Sequence, residues 1–342
     1  TLLVETAVSK STIAPLLGML GFSTALAIPF TLFAIFPSWL KNLPKSGGWL
    51  NSVKVTLAFI LLAFSFKFLS TASLVNHWGI IDREVFLVLW IVIFALLGFY
   101  LLGKLKFSHD SDLPHVSVTR LFLATVSLAF ALYLVPGLWG APLKAVSAFL
   151  PPLTSQDFVL TENGSSGTID TSTDSEKPKK YADIFECLQG LNCFFDFDEG
   201  LAYAKKVNKP VFLDFTGWAC TNCKKMEADV LSDKEIIKKL NENFVMISLY
   251  YDDKTSLPEA EQYIAKIGEN ERKIKTIGGK NSYLQEKIFN TTGGPFYAIA
   301  DTSGKPVGKP LAGYDPDVQN FLQFLDSGLK EFENRSAQET EK

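Results

Sequence analysis

The chain has 342 residues, enough for two domains of ordinary size. Its formal net charge of −3 lacks the basic surplus that nucleic-acid binding requires and argues against such a partner. The average composition hides a division: residues 1 to about 150 are dominated by Leu and Phe, and the rest has the mixture of a soluble protein.

Thr1 is not preceded by an initiator Met, and no charged segment, apolar core and small-residue cleavage site open the chain. The chain is therefore read as a fragment or a processed product. Thr1 to Val8 reads as the tail of an earlier apolar span, with Glu5 its odd residue. A hydrocarbon core about 30 Å thick takes about 20 apolar helical residues to cross. Four stretches meet that length: Ile13 to Phe36, Val55 to Leu74, Val85 to Gly103 and Leu121 to Trp139, with Lys67 the single charge among them. Pro15, Pro29 and Pro136 are candidate kinks, because proline removes a backbone donor. Ala145 to Leu150, followed by Pro151 and Pro152, is too short to span and reads as an interfacial segment.

Loop charge predicts orientation. Lys41, Lys45 and Lys54 crowd one loop, and Lys104, Lys106 and Arg120 another. The intervening turn carries Arg83 beside Asp82, and only Lys144 follows the last span. Basic loops stay in the cytoplasm, so the soluble half is expected outside it. Thr154 to Lys180 is rich in Ser, Thr, Asp, Gly and Lys and too poor in large apolar residues to order itself, so it is read as a tether. Asn163-Gly-Ser within it fits the glycosylation triplet, a pattern frequent by chance. The organisation expected is residues 1–153 as a transmembrane helical domain, 154–180 as a linker and 181–342 as a soluble domain.

In the soluble part, a helix is expected over Asp198 to Val207, then a strand over Val211 to Phe215. A turn follows, and a helix runs from Cys220 to about Val230. Ser232 with Glu235 reads as a capping box for the next helix. Phe244 to Tyr250 is a second buried strand, and Asp252 to Asn290 is a polar insertion with one or two helices. Strands over Pro295 to Asp301 and up to about Leu311, then a helix over Asp317 to Phe332, complete an α/β layer pattern.

The chemistry is carried by Trp218-Ala-Cys220-Thr-Asn-Cys223. Two residues between cysteines at a strand-to-helix junction bring both sulfurs within disulfide reach on the first helical turn. Unpaired N–H groups and the positive helix end favour a thiolate at Cys220, which becomes the attacking sulfur. Cys223, one turn deeper, is the resolving thiol. A zinc half-site is the rival reading, but the other cysteines, Cys187 and Cys193, are spaced unlike a second zinc pair, and His77, His109 and His115 all lie in the apolar half. No metal or other cofactor is expected beyond the redox disulfide.

Asp214, six residues before Cys220 on a buried strand, is a candidate proton relay whose pKa burial raises. Glu227, one helical turn beyond Cys223, faces the same way. Each has a plainer reading, as a strand-end acid or a solvated helix acid. Pro295 opens a strand, an unusual place for proline unless the site needs it; sequence does not set its isomer. Cys187 and Cys193 read as a structural disulfide outside the cytoplasm, with a second redox pair as the alternative.

Residues 197 to 333 resemble the thioredoxin superfamily. With the preceding helices, the chain resembles the C-terminal half of DsbD-type thiol:disulfide interchange proteins. The resemblance is carried by Leu213-Asp214-Phe215, by Cys220-Thr-Asn-Cys223-Lys-Lys-Met-Glu227 and by Gly-Pro295-Phe-Tyr. It implies an α-helical transmembrane bundle followed by a thioredoxin-like domain on the extracytoplasmic side of the inner membrane. Electrons would reach that domain from a membrane-domain cysteine pair and pass to extracytoplasmic thiol proteins, including those of cytochrome c maturation. The resemblance gives Cys220 and Cys223 as the redox pair, Asp214 and Glu227 as acids tuning it, and Pro295 as a cis proline packed on the disulfide. The chain departs from that pattern in three ways. Residues 1–186 contain no cysteine, so the membrane pair is expected upstream of Thr1. The N-terminal client-facing domain is absent from the sequence. Ala219 separates Trp218 from the first cysteine, where thioredoxin has Trp-Cys. Two rival functions remain open at this level: a disulfide-forming oxidase, since the motif does not set direction, and a membrane scaffold or transporter whose thioredoxin-like domain only binds partners.

Overall fold

The computed structural model describes residues 48–340 except 109, 111–114, 142, 157–178, 189 and 268–269, together with scattered positions between 20 and 35. The first expected span, its prolines and most of the tether, including Asn163, lie outside the described residues apart from those positions, which are helical.

Among the described residues, three helices are long and apolar enough to cross a membrane. They are α1 (Gly48–Val75), α2 (Arg83–Leu101) and α3 (Val118–Leu134). At 1.5 Å per residue, the 28 residues of α1 extend about 42 Å. Pro136 ends α3: the chain tightens into a 3-10 turn over Val135–Trp139 and is capped by Gly140 in the left-handed conformation. The described residues fall into two compact units, one drawn from Thr1–Leu61 and Ala95–Ser127, the other from Leu62–Phe94 and Leu128–Lys342. In the first, Asp110 accepts hydrogen bonds from Asn51 and from the Tyr100 hydroxyl. In the second, the Trp90 indole donates to the Ala63 carbonyl and the Arg83 guanidinium to the Pro151 carbonyl. In the segment expected to lie at an interface, Val146, Ala148 and Leu150 are buried and Phe149 is exposed.

The thioredoxin-like part of the second unit is built on a five-stranded mixed sheet. Its elements are β1 (Cys193–Phe194), α4 (Phe197–Val207), β2 (Val211–Thr216), α5 (Thr221–Met226), α6 (Lys234–Asn243), β3 (Val245–Tyr250), β4 (Tyr263–Ile267), β5 (Asn270–Ile274), α7 (Ile277–Phe289), β6 (Phe296–Ala300), β7 (Pro306–Ala312) and α8 (Val318–Thr340). The strand order is β1-β3-β2-β6-β7, with β1, β3 and β2 parallel and β6 and β7 antiparallel; β4 and β5 form a separate hairpin.

All six residues of β2 and all six of β3 are buried, as expected of central strands covered by helices on both faces. Alternation divides the core. Val211, Leu213 and Phe215 pack with Val245, Ile247 and Leu249 under α4 and α7. Phe212, Met246, Tyr250 and Tyr297 face the other way, against Met226, Ile236, Leu240 and Phe321. This parity puts Asp214 on the face covered by the cysteine helix.

One expectation is corrected and two are refined. The cap of α6 is Asp233, whose carboxylate accepts from the Glu235 and Ile236 amides, while the Ser232 hydroxyl turns back to the Ala228 carbonyl. The Asp233 carboxylate, one residue later, is the acceptor aimed at the free N–H groups. The insertion after β3 holds one α-helix, α7, together with the β4–β5 hairpin. The cysteine helix is α-helical only to Met226; over Glu227–Leu231 it widens into a π-helical turn.

Candidate active site

Cys220 sits at the N-cap of α5 in an extended conformation, and its sulfur accepts from the Cys223 amide at 3.1 Å. The two cysteines are joined in a disulfide with Cα atoms 5.2 Å apart. Cys220 is 7% exposed and Cys223 1%, so the first sulfur is the more accessible. On reduction, the amide already directed at Cys220 stabilises a thiolate there.

The loop leading to Cys220 is held by an acid that sequence reasoning missed. Asp252, two residues past β3, accepts from the Trp218 amide at 2.9 Å and the Ala219 amide at 2.8 Å. A Cβ on Gly217 would lie 2.8 Å from an Asp252 oxygen, so a larger residue would displace this carboxylate from the two amides. Burial raises the Asp252 pKa, and the two amides oppose that rise. The signal was present as two acids just past a buried strand, at the carboxyl end where open α/β sheets place their sites. Asp253 was missed with it. Its Oδ2 accepts from the Trp218 indole at 2.9 Å and lies 2.6 Å from the His77 Nε2.

Asp214 is 5% exposed and accepts from the Ser248 hydroxyl at 3.2 Å, its neighbour across the β2–β3 ladder. Burial first, and the negative charge of Glu227 second, push its carboxyl up to about 7, against the pull of Ser248 and Lys224. Glu227 shares the electrostatic environment of Asp214 but makes its direct contact with Lys224, at 3.0 Å. The structure therefore groups Asp214, Glu227 and the cysteine helix on one face of the sheet.

The Gly294–Pro295 bond is cis. A Cβ added to Gly294 would stand 3.0 Å from the Cys223 sulfur and 2.5 Å from the Phe215 carbonyl oxygen. The backbone before Pro295 thus lies directly on the disulfide, which requires Gly at 294. Cys187 and Cys193 form the second disulfide. It closes a strap whose Phe185 stacks on Tyr250 with ring centroids 4.6 Å apart and on Trp218 at 6.0 Å. Among the described residues, no cluster of three or more His, Cys, Asp or Glu is placed to hold a metal ion.

Residues 197–329 match the model of the thioredoxin-like domain family. Over 266 residues, 72% of this chain, the sequence is 27% identical to the thiol:disulfide interchange protein DsbD of Pseudoalteromonas atlantica, and it covers 37% of that protein. It is 28% identical over 198 residues to the thiol:disulfide interchange protein DsbD 1 of Pseudomonas aeruginosa, covering 58% of this chain and 28% of that one. The C-terminal domain of Neisseria meningitidis DsbD in the oxidised form is 20% identical, with a TM-score of 0.27 over 40% of this chain and 99% of that domain. The chain spans about a third of the length of the curated relatives it matches. Over 58–72% of its length the chain is similar to DsbD-type thiol:disulfide interchange proteins.

Proposed function

We propose that the chain is the membrane-anchored, C-terminal part of a protein-disulfide reductase that passes electrons to extracytoplasmic thiol proteins through Cys220 and Cys223. The observation that carries this reading is the Cys220–Cys223 disulfide at a helix start, flanked by the Gly294–Pro295 backbone and by buried Asp214. Residues 1–153 form the membrane part, 154–180 the tether and 181–342 the thioredoxin-like domain. In the reductive direction the Cys220 thiolate attacks one sulfur of a client disulfide and releases the other as a thiolate. The Cys223 thiolate then attacks the Cys220 sulfur and releases the second client thiolate. The client disulfide becomes a dithiol, and the chain's dithiol becomes the Cys220–Cys223 disulfide. Asp214, with a pKa near neutrality, takes the proton that Cys223 loses before this second attack. Glu227 raises the affinity of Asp214 for that proton, and Pro295 with Gly294 sets the backbone edge beside the sulfur. The disulfide is the only redox group this reaction uses. A cysteine pair in the membrane domain, upstream of Thr1 in sequence, restores the dithiol.

The test is redox titration of the full chain in detergent against dithiothreitol or glutathione couples. A midpoint near that of thioredoxin, about −270 mV, supports a reductant. A value near −120 mV, that of a strong oxidant, would replace it with the disulfide-forming reading.

A further inference from the structure

The sulfur chemistry above makes no use of His77, yet this residue reaches the redox motif from the apolar half of the chain. It lies in the turn between α1 and α2, and its Nε2 is 2.6 Å from Asp253 Oδ2, across 176 residues of sequence. The Asp253 side chain is fully buried, whereas that of His77 is one-third exposed. A buried carboxylate is costly unless its oxygens are satisfied. Asp253 Oδ1 accepts from the Thr255 amide at 2.8 Å, and Oδ2 takes the Trp218 indole together with His77. One of the three donors is therefore supplied by the turn between two candidate spans.

Two further contacts bring the same turn to the same place. The Lys254 amide donates to the Val75 carbonyl at 3.2 Å, and Leu74 and Val75 pack against the core cluster that contains Trp218 and Tyr250. The His77 ring meets Trp218 edge-on, with centroids 5.6 Å apart, and Phe185 at 6.4 Å. The turn is shaped for this role. His77 takes a left-handed conformation, with φ of 54°, and Gly79 follows with φ of 60°. The Trp78 amide donates to the Ser73 carbonyl, and the Ile80 amide to the Ser73 hydroxyl. A bulky residue held in that region needs support from its surroundings, and Asp253 supplies it here.

We propose that His77 is a positioning residue: by binding the carboxylate that also holds Trp218, it docks the Cys220–Cys223 motif onto the turn between α1 and α2. This rests on the reductase reading, because docking then presents the disulfide to a donor pair within the membrane domain. The partner surface is a segment of this same chain, residues 74–80.

The experiment uses the full chain in lipid nanodiscs, with the photoreactive residue p-benzoylphenylalanine in place of exposed Trp78. Illumination is expected to give cross-links to the 216–223 or 250–257 segments, read by mass spectrometry. His77→Ala should lower their yield at least fivefold, and His77→Phe should do the same. His77→Gln, whose amide can still donate to Asp253, should keep more than half. An undiminished yield in His77→Ala, or equal yields for the Phe and Gln variants, overturns the proposal, since ring volume alone would then suffice. Reduction of the unsubstituted chain by dithiothreitol is measured alongside. A Cys220–Cys223 disulfide that resists it removes the reductase reading while leaving the cross-link result to stand or fall separately.

Discussion

At the scale of single residues the site depends on where charge and protons sit. Cys220→Ser should abolish turnover of a client disulfide, and Cys223→Ser should accumulate a mixed disulfide with that client, seen on non-reducing gels. A Cys223→Ser chain that traps nothing would contradict the assignment of attacking and resolving thiols. Asp214 makes a pH-dependent prediction with a definite sign. Its carboxyl titrates near 7 in the folded chain, against about 4 when unfolded. Between those values the folded state holds a proton that the unfolded state has released, so stability is highest below pH 4 and declines as pH rises through 7. The span of about three units sets an upper limit of about 4 kcal/mol. Asp214→Asn should accordingly stabilise the chain by about 1–3 kcal/mol at pH 8 and by nothing at pH 4, measured by thermal unfolding in detergent. The same substitution should slow thiol exchange about tenfold or more, as loss of a positioned proton acceptor does. Glu227→Gln should move the Asp214 titration to lower pH by removing a negative neighbour. Ser248→Ala should move it higher by removing a donor to the carboxylate. A titration unmoved by either would place the controlling charge elsewhere.

At the scale of elements, the motif loop depends on one acceptor beyond the strand next door. Asp252→Ala leaves the Trp218 and Ala219 amides without their carboxylate. It should cost about 2 kcal/mol or more in thermal or denaturant unfolding, because bonds to a charged acceptor are among the stronger ones. A loss within a few tenths of a kcal/mol would show that water replaces the carboxylate. The Cys187–Cys193 bridge closes a loop with a separation of six residues. Loop-closure entropy alone gives such a bridge about 2 kcal/mol. Replacing both cysteines by Ser should therefore lower stability by about that amount and loosen Phe185 from Trp218, detectable as a change in near-ultraviolet dichroism. Most elements were legible because their signals are local. The apolar run Val211 to Phe215, the Asn208-Lys-Pro210 stop before it and the apolar periodicity of the last helix each carry their own instructions. Elements defined by partners were not. The two-residue strand Cys193–Phe194 exists only through pairing with Met246 and Ile247. The hairpin of Tyr263–Ile267 and Asn270–Ile274 is too rich in charge to show the expected alternation. Of the site, the cysteines and Asp214 could be read from spacing and strand context. Asp252 and Asp253 were absorbed into a polar insertion, because nothing in a linear pattern says which loop returns to Trp218.

For the whole molecule, charge placement predicts the orientation of the soluble half. Lys104, Lys106 and Arg120 flank one turn between apolar helices, while the turn bearing His77 holds Arg83 beside Asp82. By the rule that basic loops remain in the cytoplasm, the His77 turn and the Cys220 motif are both expected on the outer side. A membrane-impermeant maleimide added to sealed right-side-out vesicles after mild reduction should label Cys220; labelling that requires lysis would reverse the orientation. The amino-acid order by itself determined the apolar helices, the alternation of strands and helices and the paired sulfurs. These rest on hydropathy, side-chain period and a two-residue spacing, all readable within a short window. Only the tertiary structure decided that Asp252 and Asp253 reach the motif, the isomer at Pro295 and the meeting of His77 with Asp253. Asp252 meets Trp218 across 34 residues of sequence and His77 meets Asp253 across 176, spans that no local pattern records. Burial and hydrogen-bond satisfaction, which select such partners, are properties of the packed molecule alone.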